Sequence, residues 1–240
     1  MKPLVFDLFC GLFGWGEAFS QHGYNVVGFD CEDQFKNFGK AMPENCELVL
    51  RDVRSITGAE LVKQYGVPTI IVASPPCQEF SYMAMPWSKA KEKMRKILAD
   101  PEEQTRLTDL FNQCFRIQRE VSEAAGHYVP MILENVRGAQ RWVGKARSNF
   151  GSFYLWGDVP ALMPIPGRTR LQKGVKTEYR EKWHGTSSWT TGHLTSSEGN
   201  KTKSNARKRA SAEIAKIPPL LAAWIAKTFK PCPSETNPTT

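Results

Sequence analysis

Six short apolar runs recur along the first two-thirds of the chain: LVFDLF (4–9), NVVGFD (25–30), LVLRDV (48–53), TIIVASP (69–75), PMILENV (130–136) and FYLWGD (153–158). Each is too short for a buried helix and turn residues bound most of them, so each predicts a strand. Between them, residues 14–21, 33–41, 57–65 and 103–125 predict helices. The last is the clearest, with Leu107, Leu110, Phe111, Phe115, Gln118 and Val121 at helical spacing. Strands alternating with helices predict an α/β fold on a mostly parallel, doubly wound sheet covered on both faces. Beyond Pro160 the pattern degrades. The expected organisation is a domain over 1–163, a short basic, loop-rich insert over 164–208, a helix over 209–230 packing back on the domain, and a flexible tail over 231–240.

In an open parallel sheet, ligands gather at the carboxyl ends of the strands. The unusual residues fall at five such ends: Asp7-Leu8-Phe9-Cys10-Gly11, Asp30, Asp52, Pro75-Pro76-Cys77 and Glu134-Asn135. Glycines just after the first strand let the backbone approach a ligand and open a helix. Asp30 is placed to accept from ribose hydroxyls, although an acidic helix cap reads the same way and Glu32 or Asp33 are rivals for the role. Asp52 is placed to accept from an adenine amino group. Together they point to an adenosine-containing cofactor. A phosphate-binding GxGxxG spacing is absent, which favours S-adenosylmethionine over a dinucleotide or ATP.

Cys77 follows two prolines that stiffen its turn, and it precedes the polar stretch Gln78-Glu79-Phe80-Ser81, unlike a buried cysteine. A nucleophilic thiol needs such a semi-exposed place. Glu134 closes an apolar strand, where desolvation raises a carboxyl toward neutrality and suits it to act as an acid; capping a neighbouring loop is the plain alternative. A cysteine with a glutamic acid suits attack on an electron-poor ring whose nitrogen must be protonated as the thiolate adds.

Composition narrows this further. The formal net charge of +8 over 240 residues favours an anionic partner, nucleic acid first. The six cysteines form no C-x-x-C pair, so neither a metal site nor a disulfide framework is expected. No run approaches the ~18 apolar residues that span a bilayer, and Asp7 interrupts the first apolar stretch. No membrane partner and a cytosolic place follow as expectations.

These motifs resemble the DNA cytosine-5 methyltransferase family. DLFCGLFG (7–14) is similar to its first motif, ASPPCQEFS (73–81) to its Pro-Cys motif and LENVRG (133–138) to its Glu-Asn-Val motif, in the family's order and over residues 4–158. The resemblance implies a Rossmann-like S-adenosylmethionine-dependent methyltransferase fold with a reduced target-recognition region. It implies that Cys77 adds to C6 of a cytosine flipped out of double-stranded DNA while Glu134 protonates N3. S-adenosylmethionine would supply the methyl group and leave as S-adenosylhomocysteine. Asn135 and Ser81 would position the acid and the nucleophile loop, and Phe9, Gly11, Gly14, Asp30, Asp52, Val53 and Pro76 would line the cofactor site. Residues 78–95 would be a mobile loop closing over the base.

The departures are informative. Phe13-Gly14 stands where the family has a glycine pair. Ser148-Asn149-Phe150-Gly151-Ser152 stands where it has Gln-x-Arg-x-Arg, so Arg147, or Arg168 and Arg170, become the candidates to contact the cytosine. Ala215 and Lys216 replace an asparagine and a small residue before Ile217-Pro218-Pro219. The insert is far shorter than the family's target domain, which predicts short specificity. This compact build resembles phage or prophage-encoded members; a monomer in bacterial or phage-infected host cytosol is expected. Three other readings stay open: a tRNA cytosine-5 methyltransferase, an amino-methyltransferase using SPPC (74–77), and a degenerate homologue that only binds DNA.

Overall fold

The computed structural model describes residues 2–78, 80, 87–164, 212 and 215–231. Its contacts divide the chain into a larger unit, residues 1–165 with 216–240, and a second one, residues 166–215, of which 212 and 215 alone are described. Arg168, Arg170 and most of the basic insert therefore lie outside the described residues, as does Ser81.

The six predicted runs become β1 (Leu4–Leu8), β2 (Asn25–Asp30), β3 (Cys46–Leu50), β4 (Ile70–Ala73), β5 (Met131–Asn135) and β7 (Phe153–Gly157), joined by an unpredicted β6 (Ser148–Phe150). They form one sheet in the order β3-β2-β1-β4-β5-β7-β6. The first five strands pair in parallel, and β7 runs antiparallel to both neighbours. This is the mixed, mostly parallel α/β sheet that the alternation predicts. Every residue of β4 and β5 is buried, as a strand covered on both faces requires. The order runs outward in one direction from β1 to β3 and in the other from β4 to β5. The β1/β4 junction is thus a switch point, and in open α/β sheets ligands bind at the carboxyl ends beside such a point.

The helices are α1 (Gly14–Gln21), α2 (Gln34–Phe38), α3 (Gly58–Tyr65), α4 (Trp87–Ala99), α5 (Pro101–Ala125), α6 (Gln140–Val143) and α7 (Pro219–Thr228). Asp100 caps α5 by accepting from the Glu102 and Glu103 N–H groups, and Pro101 sits at its first turn. α5 buries Leu107, Phe111, Cys114, Ile117 and Val121 on one stripe under the sheet. α2 stops short of the predicted residue 41 because Gly39 turns left-handed at φ +61°. Helix α4 spans Trp87–Ala99 and so takes in residues 87–95 of the expected mobile loop over 78–95; Ala90 and Ile97, two turns apart, are buried, and the helix packs on α5. α7 starts only after Pro218 and packs on α1, where Tyr24 Oη donates to the Ala226 carbonyl at 3.0 Å.

The departure at Phe13 has a packing explanation. Phe13 takes a left-handed backbone, φ +53° and ψ +48°, that a glycine would adopt without strain. Its ring is fully buried between β2 and α1, where a Cβ at Gly28 would sit 2.3 Å from it and one at Gly16 2.4 Å. The hole left by two glycines is what admits the ring. Phe13→Ala is expected to cost about 3–5 kcal/mol through the cavity, and Gly28→Ala about 1–3 kcal/mol through the clash. Because the ring's share of the clash disappears with it and the Cys10 Cβ contact at 2.8 Å remains, the double variant should cost less than the sum by urea denaturation. Additive costs would contradict the pairing.

Candidate active site

The β1 loop is built from backbone strain and two carboxylates. Phe9 (φ +61°) and Gly11 (φ +51°) both turn left-handed, and the Phe9 N–H donates to the Phe29 carbonyl at 2.8 Å. A Cβ on Gly11 would meet nothing nearer than the Gln34 side chain at 3.9 Å, so this face of the loop is open to a ligand. Gly14 differs: its Cβ would meet the Ile217 nitrogen at 2.7 Å, so glycine there serves the packing of the segment leading into α7. Lys216 lies in that segment and pairs with Glu17 of α1. Beneath the loop, Asp7 is buried and accepts from the Gly16 N–H at 3.2 Å. Burial pushes its carboxyl well above the usual range, against that hydrogen bond and assisted by the charge of Asp30.

Asp30, half-buried at the end of β2, accepts from the Gly11 N–H at 3.0 Å and, through its other oxygen, from the Glu32 N–H at 3.1 Å. Cys31 also hydrogen-bonds this carboxylate, which with about four lone-pair sites still has room for a hydroxyl. Asp33 is the helix cap instead, accepting from the Lys36 N–H at 2.8 Å, which separates it from Asp30. Asp52 caps the 3-10 turn at Val53–Ser55 through the Arg54 N–H and remains half-exposed. Val53 is buried, and the turn is held from α5: Arg116 donates to the Val53 and Ile56 carbonyls at 3.2 and 2.9 Å. The open loop face, the free lone pairs of Asp30 and the exposed Asp52 fit an adenosine-bearing cofactor.

The next strand ends carry the reactive groups. Pro76 is exposed and Cys77 is half-buried in a turn closed by the Phe80 N–H to the Cys77 carbonyl at 3.0 Å, with the Phe80 ring locked in the core. Among the other described cysteines, Cys10 and Cys114 are buried and burial pushes their thiols far up. Cys77 is raised less, first by desolvation and then by the nearby charge of Glu134. Glu134 is itself buried, and desolvation pushes its carboxyl up to about 8 against a hydrogen bond from Ser74. At neutral pH it therefore holds its proton. Asn135, equally buried, donates to the Pro75 carbonyl at 3.0 Å and accepts from the Val136 N–H at 2.8 Å. It ties the end of β5 to the turn that presents Cys77.

The structure thus brings Cys77, Glu134 and Asn135 together, beside the loop of Phe9 and Gly11. It does not bring Arg147 to them. Arg147 is exposed, its N–H donates to the carbonyl of Leu155 in β7, and it borders a hollow with Val159, Pro160 and Ala161. That is two strand spacings from Glu134, about 10 Å. Phe150, in the stretch where arginines were sought, is buried. Arg116 escaped the sequence reading as an unremarked helix cation, and Ser74 entered it only as part of SPPC (74–77), not as a partner of Glu134. Among the described residues no cluster of His, Cys, Asp or Glu could hold a metal, and no helix is long and apolar enough to cross a membrane.

Residues 4–142 match the family described as C-5 cytosine-specific DNA methylase. No curated protein sequence matches the chain. Similar solved structures include one described as a DNA modification methyltransferase encoded within an E. coli prophage, at 19% identity and TM-score 0.38, covering 60% of this chain and 35% of that one. The Entamoeba histolytica methyltransferase EhMeth is 17% identical, TM-score 0.35, over 60% of this chain and 41% of its own. Spodoptera frugiperda DNMT2 is 19% identical, TM-score 0.35, over 59% and 38%. The chain spans well under half the length of these structures.

Proposed function

The chain belongs to the C-5 cytosine-specific DNA methylase family, and from that premise we propose that it methylates C5 of cytosine in double-stranded DNA, using Cys77 as nucleophile and Glu134 as acid. The observation that carries the reading is the meeting of a half-buried thiol and a buried, proton-holding carboxyl at the ends of adjacent strands. A base inside a duplex cannot reach such a crevice, so the cytosine is flipped out. The Cys77 thiolate adds to C6 as Glu134 gives its proton to N3, which turns C5 into a carbon nucleophile. S-adenosylmethionine supplies the methyl group and leaves as S-adenosylhomocysteine. Loss of the C5 proton then restores the C5–C6 double bond, expels the thiolate, and returns the N3 proton to Glu134.

Phe9 and Gly11 would give the cofactor an open backbone face, Asp30 would accept from its ribose, and Asp52 with Val53 would meet its adenine. Asn135 holds the turn of Pro75 and Pro76, so that the thiol and acid keep one spacing. The basic insert over 164–208 meets phosphates, which gives affinity without sequence information. Two of its arginines, Arg168 and Arg170, are the candidates to contact the base beside Arg147, together with Ser81 at the nucleophile loop.

The test is covalent trapping. Duplex DNA carrying 5-fluorocytosine, incubated with S-adenosylmethionine, should give a stable protein–DNA adduct with the wild type and none with Cys77→Ala, because fluorine cannot leave C5 as a proton does. An adduct that persists in Cys77→Ala would remove the nucleophile assignment. An adduct on fluorinated tRNA but not on DNA would move the substrate to RNA.

A further inference from the structure

Ala73 of β4 lies level with Leu133 of β5, so Ser74 and Glu134 are neighbours as the two strands end. The Ser74 hydroxyl hydrogen-bonds the Glu134 carboxyl. On its other side the same oxygen accepts from the indole Nε1–H of Trp15 at 3.0 Å. Trp15 is buried in the first turn of α1, directly after Gly14, where the β1 loop becomes helix. An indole nitrogen only donates, whereas a hydroxyl has one proton and can accept as well. With Trp15 donating into it, the Ser74 oxygen directs its single proton to the carboxyl.

We propose that Trp15 and Ser74 form a two-link hydrogen-bond relay that positions the Glu134 carboxyl and sets its proton affinity from the helix opening out of the β1 loop. The inference rests on reading Glu134 as the acid, and both partners act through it as positioning residues. The physical reason is that, among the described residues, Ser74 is the side chain whose hydrogen bond favours the Glu134 anion. β7 presents Leu155 across from it, and Cys77 is the titratable group whose own affinity registers its charge. A donated hydrogen bond favours the anion, and a donor behind the donor strengthens it. An acid lifted by burial without such a link would give up its proton too reluctantly to serve near neutrality. The relay also ties the acid to the loop that would seat the cofactor.

The test reads the acid directly. In protein labelled at the glutamate carboxyl carbon, the Glu134 resonance, identified by its loss in Glu134→Gln, should titrate with a midpoint of about 8. Ser74→Ala should raise that midpoint by about one unit, while Ser74→Thr, which keeps the hydroxyl, leaves it in place. Trp15→Phe should raise it by a smaller step, and should add nothing once Ser74 is alanine. An unmoved midpoint in folded Ser74→Ala overturns the relay, as does a Trp15→Phe step that persists in full on the Ser74→Ala background. If Trp15→Phe does not fold, the two Ser74 variants decide alone. A protein that shows these shifts yet traps no nucleic acid would sink the proposed reaction and leave the relay standing. One that traps DNA with an unmoved midpoint would sink the relay alone.

Discussion

Alanine at Cys77 is expected to lower methyl transfer to DNA by on the order of 10⁵-fold while the protein stays folded, since removing a covalent nucleophile leaves only binding and positioning. Single-turnover transfer of a labelled methyl group measures it, and a loss of less than about tenfold would sink the covalent route. The pH dependence follows from the same two groups. Burial holds the Cys77 thiol above its ordinary value and Glu134 at about 8, so the thiolate and the protonated acid coexist only in a minority of molecules. Dependence of kcat/KM on pH should therefore be bell-shaped, rising through about 8 and falling again only above the thiol's own transition. A profile flat from pH 6 to 10 would rule out titration of this pair.

Glutamine at Glu134 should change both rate and stability. The amide keeps the shape and has no acidic proton to give, so methyl transfer should fall by about 10²–10⁴-fold. For stability the sign is set by burial. The folded carboxyl titrates at about 8 against an ordinary 4.5, so the folded state retains a proton that the unfolded chain releases. Stability is fully present below pH 4.5 and is lost as pH rises toward 8, by up to about 5 kcal/mol. That is comparable with the whole stability of a small protein. Glu134→Gln cannot ionise, so its urea midpoint should change less between pH 5 and 9 than the wild type's. Parallel midpoints would show that Glu134 is ionised throughout.

The sheet could be read from the sequence because strands buried on both faces are apolar runs, and Ile70–Ala73 and residues 131–133 are such runs. The site could be read because polar residues placed where those runs stop have few structural reasons to be there; Cys77, Glu134 and Asn135 do meet. What escaped lacks such a signal. β6 is three residues whose pairing depends on β7, so its sequence carries no pattern. α4 is so rich in lysine that its two buried positions, Ala90 and Ile97, do not stand out. Arg147 seemed near the site by position, but strand order, which no local pattern reveals, places β7 between its segment and β5. The link from Trp15 to Ser74 joins residues 59 apart, and only the parallel crossover places them together.

The pairing of Phe13 with Gly28 and Gly16 constrains how this sequence arose. A phenylalanine at 13 facing any side chain at 28 meets atoms at 2.3 Å, so the glycines had to be in place before the ring arrived. Once it had arrived, neither glycine could be exchanged without loss. The substitution thus acts as a ratchet: homologues carrying Phe at 13 should also carry Gly at 28, whereas Gly at 28 should occur with either residue at 13.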